Sequence, residues 1–134
     1  MKLKFDGIPV ELGPLDSSNL RNILSTYQDR NKVIIVDENT HDACLEPLLL
    51  SFPELQNAEV MLLPAGEENK TMEVVFQVWS ALLEYRIQRN DLILNLGGGL
   101  VTDLGGFVAA TYKRGIDFIH IPTSLMAMVD AALG

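Results

Sequence analysis

Three consecutive glycines, Gly97, Gly98 and Gly99, join an apolar strand-like run, Asp91 to Leu96, to a helix-like one, Val101 to Tyr112. Few junctions restrict a fold so strongly. Glycine alone takes left-handed backbone turns without a Cβ penalty. A strand ending on such a turn and entering a helix lets backbone N–H groups come close to a ligand. The helix start adds partial positive charge, and the combination suits a phosphate or pyrophosphate. A merely tight strand-to-helix turn could use the same residues. The ordinary dinucleotide fingerprint is not met: with Gly97 and Gly99 as its first pair, its third glycine falls on Thr102, and Asp117 begins a strand instead of following one. A P-loop is excluded, because no lysine follows the glycines at the required spacing.

The rest of the chain alternates between strand and helix patterns. Lys2–Phe5 and Pro9–Leu12 flank the turn dipeptide Asp6-Gly7 and predict a short hairpin. Asp16 or Ser17 caps a helix through about Asp29, with Leu20, Ile23, Leu24 and Tyr27 on one face. Lys32–Val36 reads as a strand, Thr40–Leu50 as a helix with an irregular turn at Pro47, and Glu59–Leu63 as the next strand. Thr71 caps a helix in which Met72, Val75, Phe76, Trp79, Leu82, Leu83 and Ile87 follow helical spacing and are expected in the core. Strand Asp91–Leu96, helix Gly99–Lys113, strand Ile116–Ile121 and helix Ser124–Leu133 complete the series. Strands buried on both faces and alternating with helices predict an α/β fold: a Rossmann-like, doubly wound, mostly parallel sheet with helices on both faces. Ligands bind such sheets beyond the carboxyl ends of the strands. That rule gathers Asp37–Thr40, Pro64–Lys70, Gly97–Asp103 and Pro122–Ser124 onto one edge.

Bulk properties narrow the partners. With 134 residues, 48% hydrophobic and 21% charged, the chain reads as one soluble globular domain. No apolar run approaches the ~20 residues of a membrane span, and Met1–Leu12 lacks the pattern of a signal peptide. A cytoplasmic protein without membrane partners is expected. A net charge of −8 with no basic block argues against nucleic acid, while a dinucleotide can still be held by local donors. Cys44 stands alone, so no intramolecular disulfide can form, and a reduced, half-buried thiol is expected. His41 and Cys44 lie three apart without a second pair to complete a metal site, and His120, inside a strand, reads as a hydrogen-bonded core residue.

GGGLVTDLGGF, AATYKRG, IPTSL and MVDAALG, preceded by DENT (Asp37–Thr40) and PAGEENK (Pro64–Lys70), resemble the signature of the 3-dehydroquinate synthase family, within the wider sugar-phosphate cyclases. The likeness runs from about Lys32 to Gly134, roughly three quarters of the chain. It implies NAD as cofactor, with Gly98, Gly99 and Leu100 along its pyrophosphate and Asp103 at its nicotinamide end. For Asp103 the bland alternative is a carboxylate gaining ~0.3–1 kcal/mol from the helix dipole. The resemblance further places Asp37, Asn39, Glu67 and Lys70 at or near the ribose hydroxyls, and Thr123 and Ser124 against NAD. The bland alternatives are a turn for the first pair, a solvated charge cluster for the second and a helix cap for the third. Arg114, matching an arginine that binds the substrate phosphate across a dimer interface, could equally belong to a basic helix stop before Gly115. Asp130, among apolar neighbours, either points to solvent or faces a polar site; the resemblance implies contact with substrate hydroxyls. A homodimer is implied as well.

Thr102, Met128 and Ala131-Ala132 depart from the commoner family pattern, the last removing two hydroxyls beside Asp130. The family's zinc is held by a second, helical domain expected after residue 134, and family members continue from this point into Gly-Lys-Thr. Residues 1–134 are therefore expected to form the NAD-binding amino-terminal domain, and to be inactive alone. The implied reaction belongs to the shikimate route: a seven-carbon keto-sugar-acid phosphate loses phosphate and closes to 3-dehydroquinate. Two alternatives stay open. One is another sugar-phosphate cyclase or a metal-dependent polyol dehydrogenase. The other is a stand-alone nucleotide-binding module.

Overall fold

Runs such as Val33-Ile34-Ile35-Val36 and Leu92-Ile93-Leu94 leave no polar face, so a sheet made from them must be covered on both sides. The computed structural model, which describes residues 4–5, 8–9 and 17–123, meets that requirement. A short hairpin pairs β1 (Lys4–Phe5) with β2 (Ile8–Pro9), Phe5 opposite Ile8, and lies against the last strand of the main sheet. That sheet contains β3 (Lys32–Asp37), β4 (Glu59–Leu63), β5 (Leu92–Leu96) and β6 (Asp117–Ile121) in the order β4-β3-β5-β6. Every pairing is parallel, with Ile34 opposite both Val60 and Leu94, and Leu94 opposite Ile119.

Two apolar layers clothe the sheet. On one face Leu20, Ile23 and Leu24 of α1 (Ser17–Thr26), Tyr27 just after it and Leu48 of the segment after β3 pack on Ile34, Val36, Leu92, Leu94, Leu96, Ile119 and Ile121. That segment is one irregular helix: α2 (Glu38–Thr40), a wider π-helical turn (His41–Leu45), then α3 (Glu46–Ser51). Pro47 has no N–H to return to the preceding turn, and the widened turn just before it accommodates the loss. Cys44, the single cysteine of the chain, is a buried thiol in this layer. On the other face, α4 (Met72–Glu84) and α5 (Leu100–Thr111) cover Val33, Ile35, Met61, Leu63 and Ile93.

The contact between α5 and β5 is unusually close. A Cβ on Gly105 would lie 2.6 Å from Cγ of Asn95, a fully buried side chain in the strand beneath. Glycine at 105 lets the helix settle onto that amide. The opposite, amino edge of the strands is pinned by polar ties. The buried Asp91 carboxylate accepts from the backbone N–H of Asn31 at 3.0 Å and of Gln88 at 2.7 Å. The Tyr27 hydroxyl, at the end of α1, donates to the buried carboxylate of Asp117 at the start of β6.

Two sequence expectations need correction. Only part of the apolar pattern of α4 is core: Val75, Val78 and Leu82 are buried, whereas Met72, Phe76 and Leu83 are exposed and Trp79 is half-buried. A helix advances about 100° per residue, so positions 72, 76, 79 and 83 form a second stripe turned away from the sheet. There Trp79 stacks with the exposed Phe107 of α5 at 6.5 Å between ring centroids and donates to Thr111 Oγ1 at 3.1 Å. The other correction is His120. It shares a 3.3 Å contact with Asn95 Nδ2, yet it is exposed, because β6 lies at the end of the sheet order.

Tyr27 supplies a test of these ties. Burial first, and the bond to Asp117 second, push its hydroxyl above the ordinary tyrosine value. The folded chain therefore keeps this proton to higher pH than the unfolded chain, which releases it near pH ~10, and the stabilisation is lost as pH rises beyond that point. Tyr27→Phe should cost about 1–3 kcal/mol at neutral pH and flatten the alkaline fall in stability. Denaturant melts at neutral and alkaline pH check both effects.

Candidate functional site

The strand order creates a place where the chain parts. After β3 it turns onto the α1 face through α2 and α3; after β5 it turns onto the other face through α5. Because β3 and β5 are neighbours, the two departures leave a crevice at their carboxyl ends, the usual ligand position in doubly wound sheets. Asp37 ends β3 and the glycine turn ends β5.

Each lip of the crevice has a local cause. Asp37 is the N-cap of α2: its Oδ1 accepts from Thr40 N at 2.9 Å, while Thr40 Oγ1 accepts from Asp37 N at 3.0 Å. This reciprocal box orients both residues. Thr40 then packs against the facing turn, where a Cβ on Gly97 would lie 3.0 Å from its Cγ2. Gly97, at φ +140°, donates to Ile121 O at 3.1 Å, which draws Pro122 and Thr123 to the same edge. Gly99, at φ +50°, turns the chain into α5. Among the described residues, no acceptor takes the N–H groups of Gly98, Gly99 or Leu100. Gly98 is exposed, and a Cβ there would meet nothing within 4 Å. The Leu100 side chain is buried in the core, so only its backbone can serve a ligand.

A strap of residues 64–71 borders the glycine turn. It bends at Gly66, φ +111°, and tightens into a 3₁₀ turn over Glu67–Asn69. Ala65 N donates to Glu38 Oε1 at 3.3 Å, which joins the strap to the start of α2. Lys70 Nζ lies 3.0 Å from Asp103 Oδ2 and 3.3 Å from Glu67 Oε2. Those two bonds, that to Asp103 first, hold the ammonium above its ordinary pKa.

Asp37, Glu67, Lys70, Gly98, Gly99, Leu100, Asp103 and Thr123 thus share one edge, with Asn39 exposed in the first turn of α2. Arg114 does not join them within one chain. It ends the turn between α5 and β6, at the amino edge of the strands, about 18 Å away by the rise of a 12-residue helix. The backbone there is left-handed at Lys113 (φ +47°) and Arg114 (φ +68°) before Gly115. Ser124 and Asp130 lie outside the described residues. Glu38 and Thr40 were not singled out from the sequence as site residues; the D-x-x-T spacing of a capping box was the available signal. Among the described residues, no group of three or more His, Cys, Asp or Glu side chains could hold a metal. None of the described helices is long and apolar enough to cross a membrane.

The edge fits a dinucleotide in its donors and space: three orphan N–H groups at a helix start, a cradle without side chains, and carboxylates on both lips that can accept from hydroxyls. The family model described as "3-dehydroquinate synthase N-terminal" matches residues 60–134. The 3-dehydroquinate synthase of Parabacteroides distasonis is 45% identical over 117 residues, 87% of this chain and 33% of that protein. The Clostridium kluyveri 3-dehydroquinate synthase is 40% identical over the whole chain and 37% of that protein. Among solved structures, a 2-epi-5-epi-valiolone synthase from Streptomyces hygroscopicus subsp. jinggangensis, with NAD+ and Zn2+ bound, superposes with a TM-score of 0.68 at 30% identity, covering 98% of this chain and 36% of that one. A 2-deoxy-scyllo-inosose synthase complexed with carbaglucose-6-phosphate, NAD+ and Co2+ gives 0.63 at 28% identity, covering 78% and 30%. The chain spans about one third of the length of the curated relatives it matches. With a family model over more than half its residues and full-length alignment at 40% identity, the chain belongs to the 3-dehydroquinate synthase family.

Proposed function

We propose that residues 1–134 hold NAD for a phosphate-eliminating cyclase that forms 3-dehydroquinate from a seven-carbon keto-sugar-acid phosphate. The observation that carries this is the glycine turn at the parting of β3 and β5, where the N–H groups of Gly98, Gly99 and Leu100 have no acceptor among the described residues. In this reading Gly98, Gly99 and Leu100 donate to the pyrophosphate. Asp37 and Glu67 accept from ribose hydroxyls, Asn39 and Lys70 donate nearby, and Asp103 orients the nicotinamide end. Thr123 and Ser124 close the cradle, and Asp130 meets substrate hydroxyls. NAD, when bound, would supply reversible acceptance of a hydride from the carbon bearing a substrate hydroxyl. The chain's own residues fix its orientation and exclude alternatives to it.

The carboxylates that suit a ribose diol also oppose a phosphate ester on it. NADP should therefore bind at least about tenfold more weakly than NAD, and calorimetry with both nucleotides tests this. We place the divalent metal, zinc or a substitute, in a helical second domain within the part of the relatives that this chain does not span. Arg114 is assigned to a homodimer, reaching the substrate phosphate bound by the partner copy, because its own chain holds it at the far edge of the sheet.

The neighbours solved as 2-deoxy-scyllo-inosose and valiolone synthases keep a second reading in play, another sugar-phosphate cyclase. Phosphate release measured across a substrate panel separates the two.

Gly98 offers a clean test of the cradle. A methyl there enters open space in the free protein, so Gly98→Ala should leave Tm unchanged. The same methyl would meet the pyrophosphate, and NAD affinity should fall roughly tenfold, about 1.4 kcal/mol. Unchanged NAD affinity in Gly98→Ala would remove the pyrophosphate from this turn. Arg114→Gly is the counterpart. It relieves a left-handed non-glycine residue worth about 1–2 kcal/mol, so Tm should hold or rise. Affinity for the phosphate-bearing substrate should nevertheless drop in the full-length enzyme. Lower Tm with intact substrate affinity would reduce Arg114 to a helix terminus.

A further inference from the structure

The strap does more than border the glycine turn; it places a charge over it. Glu67 Oε1 lies 3.2 Å from where a Cβ of Gly99 would stand, and its other oxygen is paired with Lys70 at 3.3 Å. Lys70 is in turn anchored on Asp103, three residues into α5. A carboxylate therefore stands at the start of α5, where the helix favours negative charge. None of the three orphan N–H groups is used by it. The surrounding charges sharpen the contrast. Asp37, Glu38, Glu67, Glu68 and Asp103 lie along this edge, and among the described residues Lys70 is its lone lysine or arginine. An incoming phosphate thus meets a site whose cation is already shared by two carboxylates.

We propose that Glu67 and Lys70 form a charge-exchange latch that makes the turn selective for a diphosphate flanked by ribose over a bare phosphate or pyrophosphate. Opening requires Lys70 to trade Glu67 for a phosphate oxygen, and Glu67 to leave the helix start. A ligand with a vicinal diol gives Glu67 a new partner as it leaves. A bare anion gives it none, and must bind against the displaced carboxylate. The ribose half of this inference rests on the nucleotide reading above; the exclusion of bare anions does not. All three side chains are about half exposed or more, with exposures of 47% for Lys70, 62% for Glu67 and 59% for Asp103. Such pairs are individually weak in water, which suits a latch that a ligand must open.

Calorimetric titration with inorganic pyrophosphate and, separately, NAD tests the latch in the wild-type protein, Glu67→Gln and Glu68→Gln. Glu68 makes the same charge change one residue away, but its carboxylate folds back over Gly66 and away from Gly99. Glu67→Gln should bind pyrophosphate roughly three- to tenfold more tightly than wild type, and Glu68→Gln less than twofold. NAD affinity in Glu67→Gln should change much less than pyrophosphate affinity, so the preference for NAD narrows. Unchanged or weaker pyrophosphate binding by Glu67→Gln, or an equal gain in Glu68→Gln, would overturn the latch. Failure of wild type to bind NAD, with the pyrophosphate gain in Glu67→Gln intact, would instead overturn the nucleotide reading and leave the exclusion of bare anions standing.

Discussion

The site depends on two neighbouring parallel strands, β3 and β5, sending their chains to opposite faces of the sheet. Right-handed crossovers dictate that separation once β4 is added on one side and β5 on the other. The crevice is thus a by-product of topology, present before any side chain is chosen. Glycines then exploit it. Gly97 permits contact with Thr40 across the crevice, Gly99 turns the backbone into α5, and Gly105 lets α5 rest on the buried amide of Asn95. Moving α5 outward by the width of a methyl group would shift the N–H groups at its start by a comparable distance, so packing at Gly105 and the geometry of the turn are coupled.

Polarity is divided between the two ends of the sheet. At the amino edge, Asp91 and Asp117 are buried and spent on hydrogen bonds that tie loops and helix ends to strands. At the carboxyl edge, Glu67, Lys70 and Asp103 are exposed and, among the described residues, their side chains pair only with each other. Buried ties stabilise because an unmade partner is costly, whereas exposed pairs can exchange partners at little cost. Acidic side chains therefore serve architecture at one end and stand exposed, in exchangeable pairs, at the other.

Much of this was legible in the chain itself. Continuous apolar runs such as Val33–Val36 and Leu92–Leu94, alternating with helical patterns, pointed to strands covered on both sides, and the glycine triplet marked the strand-to-helix junction. Asp37, Glu67, Lys70 and Asp103 fell on one edge because each follows a strand, a consequence of alternation alone. Exposure was less legible. Met72, Phe76, Trp79 and Leu83 share helical spacing with Val75, Val78 and Leu82, and periodicity alone does not say which of two adjacent apolar stripes meets the sheet. His120 looked internal because its neighbours in sequence are apolar, yet the end of the sheet order exposes it. The left-handed backbone at Lys113 and Arg114 was hidden, since a basic pair before glycine is also an ordinary helix ending. Tertiary packing, not local preference, decided each of these.

The central claim is that the backbone donors of the glycine turn receive a dinucleotide's pyrophosphate. Amide chemical-shift mapping by NMR during titration with NAD tests it most directly, because it reads those N–H groups one by one. The account expects the largest shifts at Gly98, Gly99 and Leu100, with smaller ones at Asp37–Thr40 and Glu67–Lys70. Shifts confined to the outer stripe of α4 around Phe76 and Trp79, with the amides of Gly98–Leu100 unmoved, would contradict it.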